Sequence, residues 1–271
     1  MRLYRTARGP VVEHDGVHHR VGEEWDALLN AEDLRATLEA ACRGPAVEAP
    51  SSLLAPIGSQ EVWAAGVTYW RSRDARMEEA RKAGGGSFYD RVYEAERPEL
   101  FFNANPHRVV APGGQLRLRR DARWIVPEPE LVLVVDRRAR IIGYTAGNDL
   151  SCRDIEGENP LYLPQAKTFD GCAALGPGVL VTDQPLPPQT EIQMQIARAG
   201  AEAFAGHTAL DQLRRTPASL VEFLFREASF PTGCFLFTGT GIVPPDHFTL
   251  QAGDQIRITI PPIGTLVNGV G

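Results

Sequence analysis

The stretch WIVPEPELVLVVD, residues 124–136, constrains the fold more than any other. Leu131 through Val135 form an unbroken apolar run that reads as a buried strand, and Pro127 and Pro129 exclude a helix and mark the strand's start. Two carboxylates stand at that entrance. Residues two apart in a strand share a face, so Glu128 and Glu130 project side by side.

The following turn extends the set. DRRAR, residues 136–140, separates LVLVVD from IIGYTAGND, and a hairpin centred near residue 138 sets Glu128 opposite Asp149 and Glu130 opposite Gly147. Three carboxylates then meet at one end of one hairpin. Like charges that close raise one another's pKa unless a cation neutralises them. A hard oxygen set with no His or Cys nearby suits Mg2+, Mn2+ or Ca2+ rather than zinc. Solvated acids at a strand end are the plainer reading of the same spacing.

Strands dominate from residue 100 onward. LRLRR, LVLVVD, RIIGYT, GPGVLVTD, EIQMQIARAG and DQIRITI are short, β-branched-rich or alternating, with Gly, Pro and Asp turns between them. One helix interrupts them: Thr216 caps it, Pro217 takes its first position, and Leu220, Phe223, Leu224 and Ala228 form the apolar stripe. Helices and strands do not alternate regularly. This favours an α+β fold of mixed, largely antiparallel sheet over a doubly wound parallel one.

Residues 1–55 read as a small N-terminal unit and 56–271 as the catalytic one. The first holds short strands around Leu3–Thr6, Val11-Val12 and Val17–Val21, then the helix AEDLRATLEAAC with Asn30 as its N-cap. His18 and His19 would face opposite sides of a strand and so cannot share a metal. In the second unit, residues 70–97 run as a charged helical stretch, Gly84-Gly85-Gly86, and a second helical stretch. That is the composition of a movable lid, and equally of a surface helical hairpin.

The net charge of -6 is spread over mixed-sign stretches, which excludes a nucleic-acid footprint or polybasic membrane patch and leaves a small molecule as the expected partner. No apolar run approaches the roughly 18 residues of a membrane span. No leader-like apolar core follows the opening arginines, so a cytoplasmic protein is expected. Cys42, Cys152, Cys172 and Cys234 lack paired spacing and read as reduced thiols.

Four stretches, PEPELVLVVD, GNDLSCRD, LPQAKTFDGCAALGP and FLFTGTGIVPPDHFTLQAGDQIRITIPPIGTLVN, resemble in order and spacing the fumarylacetoacetate hydrolase superfamily across residues 60–268. The resemblance implies a rolled mixed sheet with a small N-terminal domain, usually dimeric. It implies a divalent metal, Mg2+ before Mn2+ or Ca2+, on Glu128, Glu130 and Asp149. The family's active-site lysine falls on Lys167, and its glycine-threonine loop on Thr238-Gly239-Thr240, where Gly239 and Thr240 would meet a substrate carboxylate. Gln165 joins the implied substrate-binding set. Members hydrolyse, decarboxylate, isomerise or dehydrate 2-oxo acids and acylpyruvates, so the fold does not set the reaction.

Departures from the family pattern narrow the choice. Its hydrolases carry a motif resembling N-Y-x-x-H-x-x-E, whereas TYWRSRDA keeps Tyr69 but has Ser72 in place of the His and Ala75 in place of the Glu. RPELFFNANP and DIEGENPLYLPQAK resemble instead the 2-keto-3-deoxypentonate (2-keto-3-deoxyarabinonate) dehydratase branch. That likeness implies Glu99 and Lys167 as the proton-transfer pair and 2,5-dioxopentanoate as product. Asn103 stands where the family often has a lysine, and Arg71, Ser72 and Arg73 are candidates to grip the sugar acid. An acylpyruvate hydrolase or oxaloacetate decarboxylase, and a sugar-acid binder that retains the metal without turnover, are the competing expectations.

Overall fold

A strand that is apolar at every position needs cover on both faces. Leu131, Leu133 and Val135 enter one core, and Val132 and Val134 enter another. The computed structural model describes residues 1–71 and 87–271. In it the strand Pro129–Val135 lies inside an 11-stranded sheet, counted among the described residues. Its neighbours Ile141–Asp149 and Cys234–Phe237 are both antiparallel to it. Glu61–Gly66 then runs parallel to Cys234–Phe237, and Glu99–Ala104 ends the sheet.

On the other side, Ala173–Val181 pairs with Ile141–Asp149 and with Arg2–Thr6. The opening unit, residues 1–55 in the division above, therefore continues the main sheet through Arg2↔Leu180 and Leu3↔Val179. The helices Trp25–Leu29 and Leu34–Ala41 cover that face with Trp25, Leu28 and Leu38. A second sheet of five strands covers the opposite face. Its strand Glu191–Arg198 alternates strictly at first, with Ile192, Met194 and Ile196 buried against Leu131, Leu133 and Val135. Truncating one of these fully buried leucines to alanine costs about 2 to 5 kcal/mol.

The expected fold class holds: strand-rich α+β with largely antiparallel sheets. Local details differ. Asp33, not Asn30, caps the Leu34–Ala41 helix, its Oδ1 accepting the Ala36 N–H at 2.9 Å. Asn30 instead ends the short helix Trp25–Leu29 and donates from Nδ2 to the Thr232 carbonyl. The helix Pro217–Phe225 has the expected Thr216 cap, but it stops before Ala228, and Val221 completes the buried stripe. Of LRLRR only Leu116 is in a strand, the two-residue Gln115–Leu116. Among the described residues, four further strands longer than two residues, Glu99–Ala104, Ala201–Ala209, Cys234–Phe237 and Gly264–Val270, complete the sheets without having been anticipated. The expected charged helix and triple glycine fall on residues outside the described ones, whereas Ser87–Glu94 is helical.

Candidate metal centre and active site

The hairpin reaches the expected register through a bulge: Val135 faces Ile141 across the turn, the pairing shifts between Val134 and Val135, and Pro129 then faces Asn148, Glu130 faces Gly147, and the Asp149 N–H donates to the Glu128 carbonyl at 3.0 Å. Glu128, Glu130 and Asp149 are buried, with relative exposures of 6%, 2% and 1%. Each offers an oxygen, and these three atoms lie within 4.8 Å of one another. Solvated surface acids are thereby excluded.

Lys167 ends the short helix Leu163–Lys167 and is as buried as Asp149. Its Nζ donates to Glu128 Oε2 at 2.5 Å and to Asp149 Oδ2 at 2.7 Å. Arg153, on the helix Arg153–Glu158, adds Nη1 to Glu128 Oε1 at 3.0 Å. The sequence neighbour Asp154 turns elsewhere and accepts the Arg123 N–H at 2.7 Å. Arg153 is thus a member of the site that proximity in sequence did not reveal.

These five groups carry three negative charges against two positive ones. Burial, then the neighbouring Asp149 and Glu128, push the Glu130 carboxyl well above the usual carboxylate range. Asp149 is also raised by burial, with Lys167 acting in the opposite sense. A buried, all-oxygen donor set with uncompensated charge fits a hard divalent cation such as Mg2+, Mn2+ or Ca2+. Asn103, fully buried, donates from Nδ2 to Asp149 Oδ1 at 2.9 Å and fixes that carboxylate's orientation.

A cavity of about 20 Å3 is walled by the three acids, Lys167, Phe101 and Gly66, and Gly239 and Thr240 close it. That is room for roughly one water. Gly239 sits at φ +93, and a Cβ there would fall 2.0 Å from Thr68 Oγ1, so only glycine fits. Its N–H, expected to meet a substrate carboxylate, instead donates to Glu130 Oε2 at 2.5 Å. Thr240 Oγ1 donates to the Pro129 carbonyl at 3.0 Å and so holds the strand entrance.

Glu99 begins the strand Glu99–Ala104 and pairs with Gly66. Its carboxylate lies directly over that glycine, where an added Cβ would fall 1.9 Å from Oε2. Glu99, Phe101 and Asn103 alternate along one strand and so share one face. Buried Tyr69 packs beside Gly241, and burial together with the Glu130 charge pushes its phenol up. Gln165 and Arg71 are exposed and off the cavity wall, while Ser72 and Arg73 lie outside the described residues. The contacts of Arg153, Phe101 and Asn103 join segments far apart in the chain, which spacing cannot disclose.

Comparison with known proteins agrees with this geometry. The family described as fumarylacetoacetate (FAA) hydrolase C-terminal matches residues 67–271. A probable 2-keto-3-deoxyxylonate dehydratase of Haloferax volcanii is 46% identical over 216 residues, 79% of this chain and 73% of the relative. A 2-dehydro-3-deoxy-D-arabinonate dehydratase of Saccharolobus solfataricus is 42% identical over 217 residues, again 79% and 73%. A solved 2-keto-3-deoxy-D-arabinonate dehydratase, complexed with magnesium and 2,5-dioxopentanoate, superposes with a TM-score of 0.87 at 34% identity, covering 100% of this chain and 98% of that one. With its sequence, its fold and its acid cluster all in accord, this chain belongs to the fumarylacetoacetate hydrolase family.

Proposed function

We propose that the protein is a Mg2+-dependent dehydratase that removes water from a 2-keto-3-deoxypentonate and yields 2,5-dioxopentanoate. The observation that carries this is the buried Glu128, Glu130 and Asp149 cluster with Lys167 across it. The 46% and 42% identical relatives named as dehydratases of such acids support the substrate class.

Glu128, Glu130 and Asp149 would hold the ion, with Arg153 and Asn103 orienting two of them. Bound Mg2+ supplies Lewis-acid stabilisation of negative charge developing at the 2-oxo group. Lys167 and Glu99 form the proton-transfer pair: one removes a C3 proton and the other protonates the departing C4 hydroxyl. The unsaturated 2-oxo acid left behind rearranges to 2,5-dioxopentanoate. Positioned proton transfer contributes about 10²- to 10⁴-fold. Among the described residues no histidine lines the cavity, and Ser72 and Ala75 replace the hydrolases' water-activating pair, which favours dehydration over hydrolysis.

The reading extends to a cytoplasmic homodimer acting in pentose catabolism, on the strength of family likeness. No helix among the described residues is long and apolar enough to cross a membrane. The test supplies Mg2+ with 2-keto-3-deoxypentonates and couples product to a 2,5-dioxopentanoate dehydrogenase, with acylpyruvates assayed in parallel. Aldehyde formation from the sugar acid is expected. Pyruvate release from acylpyruvates without it would overturn the proposal.

A further inference from the structure

Among the described residues, 67–71 follow the strand Glu61–Gly66 and 87–98 precede the strand Glu99–Ala104. A distant loop, residues 210–216, grips both of these flanks. At the outgoing end, Tyr69 forms a β-bridge with Leu213, and the Arg214 N–H donates to the Thr68 carbonyl at 2.9 Å. At the returning end, Arg215 spreads its guanidinium over backbone carbonyls. Nη1 donates to Glu96 at 2.9 Å, and Nη2 to Val92 at 2.9 Å, to Ala95 at 2.7 Å and, at the limit of bonding distance, to Arg97 at 3.5 Å. These carbonyls belong to, or follow, the last turn of the Ser87–Glu94 helix. A helix end leaves such carbonyls without intrahelical donors, and a fixed guanidinium fork satisfies several at once.

Both anchored ends lead directly into the site. Thr68 donates from Oγ1 to the Thr238 carbonyl at 2.6 Å and packs on Gly239, whose N–H holds Glu130. Arg97, the last carbonyl that Arg215 reaches, precedes Glu99 by one proline. Proline fixes its own φ, so an anchor at Arg97 is passed on to Glu99 with little slack. Among the described residues, the hydrogen bonds of Arg215 go to none of those that wall the cavity.

We infer that Arg215 is a positioning residue for the proposed dehydration: by holding the carbonyls of residues 92–97 it sets where the Glu99 carboxylate stands over Gly66. This rests on the dehydratase reading insofar as Glu99 moves a proton. Misplacement of a reacting group by about 1 Å costs on the order of 10²-fold in rate. The anchor acts through Glu99, so its effect vanishes once the carboxylate is gone.

A double-mutant cycle on the Mg2+-loaded enzyme tests this. Arg215→Gln is expected to lower kcat about 10- to 100-fold in the parent, yet about twofold or less in a Glu99→Gln background. Arg215→Lys, which keeps charge but not the fork, is expected to restore only part of the loss and serves where Arg215→Gln folds poorly. Equal losses in both backgrounds would mean a general structural role and overturn the inference. Amide exchange of the segment Ala95–Glu99, which needs no substrate, separates this failure from failure of the dehydratase reading. Faster exchange in Arg215→Gln supports the anchor even if no sugar acid turns over, and unchanged exchange refutes it.

Discussion

Lys167 and Glu128 form a buried ion pair, Nζ to Oε2 at 2.5 Å, within the very oxygen set offered to a cation. Lys167→Met leaves Glu128 and Asp149 without that partner. Breaking a buried pair costs about 3 to 5 kcal/mol, and loss of a proton carrier about 10²-fold or more in turnover. Urea unfolding of chelator-treated protein measures the first and the coupled aldehyde assay the second. Parent-like values in both would remove Lys167 from the site.

Acidity gives a second expectation. Glu130 and Asp149 bind protons more tightly in the folded protein than in the unfolded chain, because burial raises both. Their ionisation therefore opposes folding. In chelator-treated protein, the contribution of these two groups to stability is greatest below the ordinary carboxylate value, 4.5 for Glu130, and falls as pH rises from there toward the raised folded values. Mg2+ binds the ionised forms, so the gain in urea midpoint on adding Mg2+ should grow with pH across that window. A gain independent of pH would contradict this.

Asn103 should govern metal affinity more than folding. Asn103→Leu removes the 2.9 Å bond that orients Asp149, and loss of such an outer partner costs about 10- to 100-fold in metal affinity. Mn2+ titration by calorimetry is the direct check. Affinity equal to the parent's would show that Asp149 needs no orienting partner.

Gly66→Ala probes the other carboxylate. The new Cβ would fall 1.9 Å from Glu99 Oε2, so the flexible end of Glu99 must move aside. Turnover is expected to drop about 10²-fold while Mn2+ affinity stays near the parent's, since the three atoms nearest the added methyl group all belong to Glu99. Equal losses of turnover and metal affinity would place Glu99 within the metal cluster rather than beside it.

The acid cluster was legible in the sequence because a hairpin centred near residue 138 brings Asp149 to Glu128, but the bulge that sets this register, between Val134 and Val135, left no sign in the spacing. Lys167 and Glu99 came from resemblance, since nothing in their spacing ties them to that hairpin. Arg153, Asn103 and the 210–216 loop stayed hidden for the same reason: each acts across a long sequence separation, where composition carries no signal. The Asn30 and Asp33 exchange is a different kind of miss. Both residues cap helices well, and the five-residue helix that claims Asn30 is too short to show a period.

The cluster of acids belongs to strands locked between two cores, whereas Thr68 and Arg97 belong to the segments next to Gly66 and Glu99 that the 210–216 loop fastens from outside. On the proposed reading, the acids that would hold the ion and the segments that would set the position of Glu99 are thus separable pieces of chain. Grafting a different excursion between Gly66 and Glu99, together with its matching clasp, offers a route to new 2-oxo acid chemistry on an unaltered metal cradle.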